Sequence, residues 1–248
     1  MSCIYILWIR QLTRYIRSRS RIVSSLGQPV LYLVALGFGF GPIFQKAGEG
    51  NYLQFLAPGV VGMTILFTAM FNGIELLWDK QFGFLKETMV APVPRVLIML
   101  GRTLGGATVA VAQGLIVVVV CTLAGFRPVN WALVPVAIAF MVLIGFLFTA
   151  FGTAVASLLS DFQGFQLVMN FLVMPIFFLS GALFPLANLP LVMSIITKLD
   201  PLAYGVDGLR GALINTWHFS MAFDVALLAG IAAVFLSAGA YLFTKIEV

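Results

Sequence analysis

DKQFGFLKETMVAPVPRVLIMLGR, residues Asp79–Arg102, is the polar, mixed-charge interruption between two long apolar runs in the first half of the chain. Phe82, Leu85 and Met89 recur at helical spacing, so one face is apolar while Lys80, Lys86 and Glu87 occupy the remainder. Pro92 and Pro94 then stop the helix, because proline lacks an amide hydrogen and restricts the residue before it. A short amphipathic helix between two hydrophobic runs is suited to pressing into another protein. A solvated loop resting on lipid headgroups has the same pattern, and spacing alone leaves both readings open.

The flanking runs identify the class. The chain of 248 residues is 61% hydrophobic and 9% charged, whereas about a quarter of a soluble domain is charged. Several runs reach the roughly 20 apolar residues that a helix needs to cross a bilayer, and no alternating ten-residue pattern suggests a barrel. The expected fold is all-α, a polytopic membrane protein forming one transmembrane domain over residues 1–248. Six spans are predicted: 22–44, 55–78, 102–124, 131–159, 165–184 and 221–243. Spans and short loops leave no room for a separate soluble domain. Cys3 and Cys121 are too few for a disulfide framework.

Residues 1–21 form the N-terminal segment. Ile4, Leu7, Trp8, Leu12, Tyr15 and Ile16 make an apolar face and Arg10, Arg14 and Arg17 another, the pattern of an interfacial helix whose arginines meet lipid phosphates. The apolar run after Arg21 is too long for a cleavable signal. With this end inside, Arg10, Arg14, Arg17, Arg19, Arg21, Lys80, Lys86, Arg95, Arg102 and Lys245 are cytoplasmic. Only Lys46, Arg127, Lys198 and Arg210 face outward, which places ten of the 14 basic residues on the inner side. Both termini and the 79–102 loop are therefore expected in the cytoplasm. The 185–220 segment is expected outside, where two half-length apolar runs flanked by Pro190 and Pro201 read as re-entrant or interfacial helices. Asp207 and Arg210, at i and i+3, would neutralise each other if that hairpin dips into the membrane, or stand exposed on an interfacial helix.

The chemistry is that of a conduit. No G-x-x-x-x-G-K-[ST] phosphate loop, metalloprotease motif or serine-hydrolase motif is present. The predicted spans are nearly free of ion-coupling charge, which equips the chain poorly as a proton-coupled carrier or a polar channel. They offer aromatic and methionine surface instead: Phe67 and Phe71 with Asn72 beside them, and Met174 and Phe177 in the fifth span, as a wall for amphipathic ligands. Ordinary packing or lipid-facing roles fit the same residues.

Four stretches in register resemble the ABC-2 type family of exporter permeases: NYLQFLAPGVVGMTIL (Asn51–Leu66), FLKETMVAPVPR (Phe84–Arg95), FFLSGALFPLANLP (Phe177–Pro190) and LDPLAYGVDGLRGAL (Leu199–Leu213). The likeness is to permeases of daunorubicin-type drug export and of Nod-factor export. It implies a permease subunit that is not itself an enzyme, binds no cofactor, and works as a pair, most simply two copies, with two separate ATPase subunits that carry ATP and Mg in the cell inner membrane. Nucleic acid is not an expected partner. It also implies that Phe82–Val90 is a coupling helix docking on the ATPase, with Lys80, Phe82, Leu85, Lys86 and Glu87 as the contact set. The N-terminal helix becomes an elbow and the 185–220 segment a pair of external re-entrant helices. The expected cargo is hydrophobic or amphipathic, drug-like or lipid-like. Export of an oligosaccharide or glycolipid by the same fold is the alternative, and an ion-coupled secondary carrier the reading from another class.

Overall fold

A computed structural model describes residues 2–46, 51–85, 93–186 and 190–244. Among them there is no strand. Helix α1 (Ser2–Arg17) precedes α2 (Arg19–Lys46), α3 (Tyr52–Phe71), α4 (Ile74–Gln81) and α5 (Arg95–Leu123). A 3-10 turn (Trp131–Leu133) leads into α6 (Val134–Leu158), followed by α7 (Phe162–Leu179), α8 (Leu191–Leu199), α9 (Pro201–Ile214) and α10 (Met221–Thr244). Among the described residues, six stretches are long and apolar enough to cross a membrane: 22–44, 52–81, 95–123, 131–158, 162–179 and 221–243. The chain is a multi-pass, all-α membrane protein.

The helix starts are set locally by short polar side chains. Asn51 accepts the Leu53 amide, Asp161 that of Gly164 and Asp200 that of Leu202, each satisfying a donor that the first turn leaves open. Pro201 follows Asp200 at the first helical position, where its missing amide costs nothing. Asn215 ends α9 in the left-handed conformation, φ 57°, its amide returning to the Gly211 carbonyl.

Two boundaries differ from the sequence expectation. The second span runs to Gln81 and the third begins at Arg95, so Asp79, Lys80 and Arg102 belong to helices and not to the connecting loop. The second span is also broken at Asn72–Gly73 into α3 and α4. The break lies at a close crossing with α6, where a Cβ on Gly73 would collide with the Gly152 carbonyl and one on Gly152 with the Met70 carbonyl. Only glycine lets the two backbones approach this far.

The core lies between α3, α5, α6 and α9. Every residue of α9 from Leu202 to Leu213 is buried, including Asp207 and Arg210, because the helix packs against α3, α6 and α10. Amphipathic α8, in contrast, exposes Leu191, Val192, Ile195 and Leu199. Helix α1 packs along α5, with Gly101 against Ile4 and Leu7. Arg95 of α5 donates to the Phe243 carbonyl of α10, which gathers α1, the start of the third span and the end of the last span at one end of the bundle.

Candidate functional site

At that end, charge of opposite sign is matched between helices. Arg10 and Arg14 are one turn apart on α1, and Glu75 and Asp79 one turn apart on α4. Arg10 pairs with Asp79, and Arg14 reaches Glu75 at 3.5 Å, so the two helices run antiparallel along this ladder. From the interior, Arg102 of α5 makes a second ion pair to Asp79. Asp79 is 1% exposed and Arg102 4%. A carboxylate shared by two guanidiniums in so dry a place ties α1, α4 and α5 into one unit. These arginines were expected to meet lipid phosphates. Arg10 and Arg14 turn instead to the protein's own carboxylates, because α1, packed along α5, brings them within reach of Glu75 and Asp79.

Lys80 turns inward as well. Its Nζ donates to the carbonyls of Ala156 (3.1 Å), Ser157 (3.0 Å) and Leu159 (3.0 Å), using all three ammonium hydrogens to close the C-terminal end of α6. Leu85 is fully buried. Of the described members of the expected contact set, Phe82 is the one that faces out, 61% exposed and stacked on Trp78 at 5.3 Å and 12°. Trp78 lies 4.9 Å from Phe162, and the exposed Phe84 ring lies 6.0 Å from the Arg10 guanidinium. Lys86 and Glu87 lie outside the described residues. Together Arg14, Glu75, Trp78, Phe82 and Phe84 border a hollow of about 310 Å³. Exposed aromatics ringed by ion-paired side chains have the composition of a protein contact site.

A second hollow, about 230 Å³, opens between α1, α2, α3 and α5. Phe67 and Phe71 line it together with Tyr15, Ser24, Ser25, Gln28, Thr64, Thr68 and Gln113. The two phenylalanine rings stack at 6.3 Å and 13°, and Phe177 meets Phe67 edge-on at 6.4 Å. Tyr15 donates to Gln113 Oε1, which leaves the Gln113 Nε2 amide buried without a partner. Three of the expected wall residues, Phe67, Phe71 and Phe177, are thus brought together. Asn72 faces away, toward Gly106 and Thr149, and Met174 is 39% exposed on the outside of α7. Sequence reasoning missed the hydroxyl and amide side of this groove. Gln28 and Gln113, polar residues inside apolar runs, were its available signal.

At the opposite end, Asp207 and Arg210 do not form the mutual pair that their spacing suggested. Asp207 accepts backbone amides of His218 (2.9 and 3.1 Å) and Phe219 (2.9 Å). Arg210 donates to the Gly181 carbonyl at 3.1 Å and lies over the Phe55 ring at 3.9 Å. Neither is exposed: the i, i+3 spacing puts both on faces that the bundle covers, and each finds a different long-range partner. Burial pulls the Arg210 guanidinium down to about 10, the Asp207 charge opposing that shift. Burial also pushes the Asp200 carboxyl up to about 8, although the Leu202 amide it accepts works the other way.

The sequence model of the ABC-2 type transporter family matches residues 2–214. The chain belongs to the ABC-2 type transporter family. Nodulation protein J of Sinorhizobium fredii is 29% identical over 224 residues, covering 88% of this chain and 84% of that protein. Nodulation protein J of Bradyrhizobium diazoefficiens is 27% identical over 228 residues, with 90% and 86% covered. A protein named as transport permease ycf38 of Cyanophora paradoxa is 30% identical over 209 residues, with 80% and 70% covered. The chain is accordingly an ABC-2 transport permease, a membrane subunit for which this family implies an ABC ATPase partner. The ABC-2 match takes in α1, the α4 end, the groove and α9, so each hollow described above lies within it.

Proposed function

We propose that this permease forms the path of an ATP-driven exporter in the cytoplasmic membrane, with both termini and the α4 end in the cytoplasm. Two ATPase subunits, binding ATP and Mg, would supply the power and a second copy of the permease would complete the path. The observation that carries this reading is the exposed Trp78–Phe82–Phe84 cluster at the end of α4, anchored to the bundle by Asp79. A partner pressing there pushes on α1, α4 and α5 at once, because the shared carboxylate leaves them little freedom to move separately. In this reading α1 is the elbow, the segment after α4 is the coupling helix, and α8 and α9 are the external helices. ATP binding shifts the permease between substrate-accepting and releasing forms only as far as the partner binds those forms unequally. The concentration of basic residues on the α1 and α4 side supports the orientation.

The cargo reading is an amphipathic molecule. The groove between α2 and α3 offers stacked Phe67 and Phe71 on one side and serine, threonine and glutamine groups on the other. Such a wall suits a lipid-like chain carrying hydroxyls. The same polar side favours, as the second reading, a glycolipid or oligosaccharide, since aromatic faces and amide donors suit sugar rings too.

Co-purification with a co-expressed ABC ATPase from the same genome tests the docking face. Phe82→Asp combined with Phe84→Asp places carboxylates where apolar rings would be desolvated, and both positions are exposed, so the permease itself should stay folded. Wild type is expected to retain the ATPase and the double variant to lose it with its own melting temperature unchanged. Retention by both would remove the aromatic cluster as the docking site.

A further inference from the structure

The largest of the hollows described lies at the end of the bundle away from the termini, a cavity of about 650 Å³. It forms where the start of α3, the 125–130 turn and the C-terminal half of α9 with the segment after it converge. The Val129 amide bonds to the Leu213 carbonyl at 2.9 Å, which fixes the turn against α9 and gives the cavity a defined wall. Phe55, Trp217 and Ile214 supply apolar surface, and Arg127, Arg210 and Asp207 supply charge.

Arg210 is the unusual member. It is 6% exposed, its Nε is buried with no partner, and its described hydrogen bond goes to the neutral Gly181 carbonyl. The Phe55 ring stabilises the cation from one face but supplies no anion. Asp207 is one turn away on the same helix, yet no ion pair of 4 Å or less joins the two, and both Asp207 oxygens are occupied by the His218 and Phe219 amides. Arg127, on the rim, gives its described side-chain hydrogen bonds to the Thr122 and Phe126 carbonyls, again to neutral groups. The Asp207 charge acts on Arg210 only from beyond ion-pair distance, and a buried guanidinium with no carboxylate in contact is costly unless something else supplies negative charge there.

We propose that this cavity binds the anionic head of an amphipathic molecule, a phosphate or carboxylate held by Arg210 and Arg127, with the apolar remainder against Phe55 and Trp217. Two sources share that chemistry: a membrane phospholipid head group and an acidic group on transported cargo. The inference is independent of the docking face and of ATPase coupling. Guanidinium forks suit these oxygens because they present paired, charge-assisted donors.

The test is thermal melting of the purified full-length permease titrated with four probes: dihexanoyl phosphatidylglycerol, dihexanoyl phosphatidylcholine, octanoate and inorganic phosphate. Wild type should be stabilised by phosphatidylglycerol and not by phosphatidylcholine. Arg210→Gln should raise the half-saturating concentration by about tenfold or more, the equivalent of one lost charge-assisted bond. Arg127→Gln should raise it less. Arg127 is exposed at the rim, so this variant keeps the test valid if Arg210→Gln fails to fold. Stabilisation by octanoate or inorganic phosphate as well would assign the site to a free acidic group such as cargo carries. A response confined to phosphatidylglycerol would assign it to a lipid head. Equal stabilisation by phosphatidylcholine and phosphatidylglycerol, or an unchanged response in Arg127→Gln and in any folded Arg210→Gln, would overturn the proposal and move anion binding to the basic face of α1.

Discussion

Replacing Asp79 by leucine should be among the most damaging single changes at the α4 end. Asp79 is 1% exposed and neutralises the buried Arg102 from one side and the partly exposed Arg10 from the other. Asp79→Leu leaves the Arg102 cation buried and unpaired, a loss of about 3–5 kcal/mol. At about 2–4 °C per kcal/mol for a chain of this size, melting should fall by about 6–20 °C. Arg10→Ala should cost far less, about 1 kcal/mol, since Arg10 is a third exposed and water takes over part of its role. The decisive variant is Asp79→Leu with Arg102→Leu. It removes both charges, so most of the loss should be recovered even though neither original side chain is present. Fluorescence-detected size-exclusion chromatography after a heating series in detergent reads all five proteins, the Arg102→Leu single variant included, from small cultures. An Asp79→Leu protein melting within about 2 °C of wild type would mean that Arg102 does not depend on Asp79 for its charge balance. So would a double variant whose loss equals the sum of the two singles, because removing both charges would then bring no relief.

Three further outcomes follow from individual contacts. Lys80→Met should lose about 1–3 kcal/mol, because it orphans carbonyls of Ala156, Ser157 and Leu159; hydrogen exchange should rise at the end of α6 while the start of α6 is unchanged. Gly152→Leu should abolish a monodisperse product, since the added side chain runs into the Met70 carbonyl at the α3–α6 crossing, with Gly152→Ala showing the same defect in milder form. Asp200 gives a pH signature. Its folded carboxyl titrates near 8 and the unfolded one near about 3.9, so between those values the folded protein holds a proton that the unfolded chain has released. Stability should therefore decline from about pH 4 to 8 and level off above. Asp200→Asn, which keeps an oxygen for the Leu202 amide, should flatten that part of the melting curve measured across pH 5 to 8.

Hydropathy made the spans legible because each crossing must satisfy its backbone internally within a long apolar run. The ends of the runs were less so. Asp79, Lys80 and Arg102 look like loop residues in sequence because their charges interrupt the apolar pattern. They are helical and inward-facing because their partners are distant in the chain: Arg10 for Asp79, and the α6 carbonyls for Lys80. No local period carries that information. The break at Asn72–Gly73 was hidden for a related reason, since Gly73 is explained by Gly152 on another helix and not by its own neighbours. In α9 the half-length run was legible as something other than a crossing, yet Asp207 and Arg210 divide between the His218–Phe219 backbone and Gly181. The aromatic half of the groove was readable from Phe67 and Phe71. Its polar half is assembled from α1, α2, α3 and α5, so it exists only once those helices meet.

If this permease is the path of an ATP-driven exporter, transport needs a partner that hydrolyses ATP. The measurement is reconstitution of the permease in liposomes, with and without an ABC ATPase co-purified with it, following movement of a fluorescent short-chain glycolipid across the bilayer. Transport that requires both ATP and the ATPase, and that Phe82→Asp with Phe84→Asp abolishes, is the predicted result. Transport by the permease alone, driven by an ion gradient and indifferent to nucleotide, would contradict it.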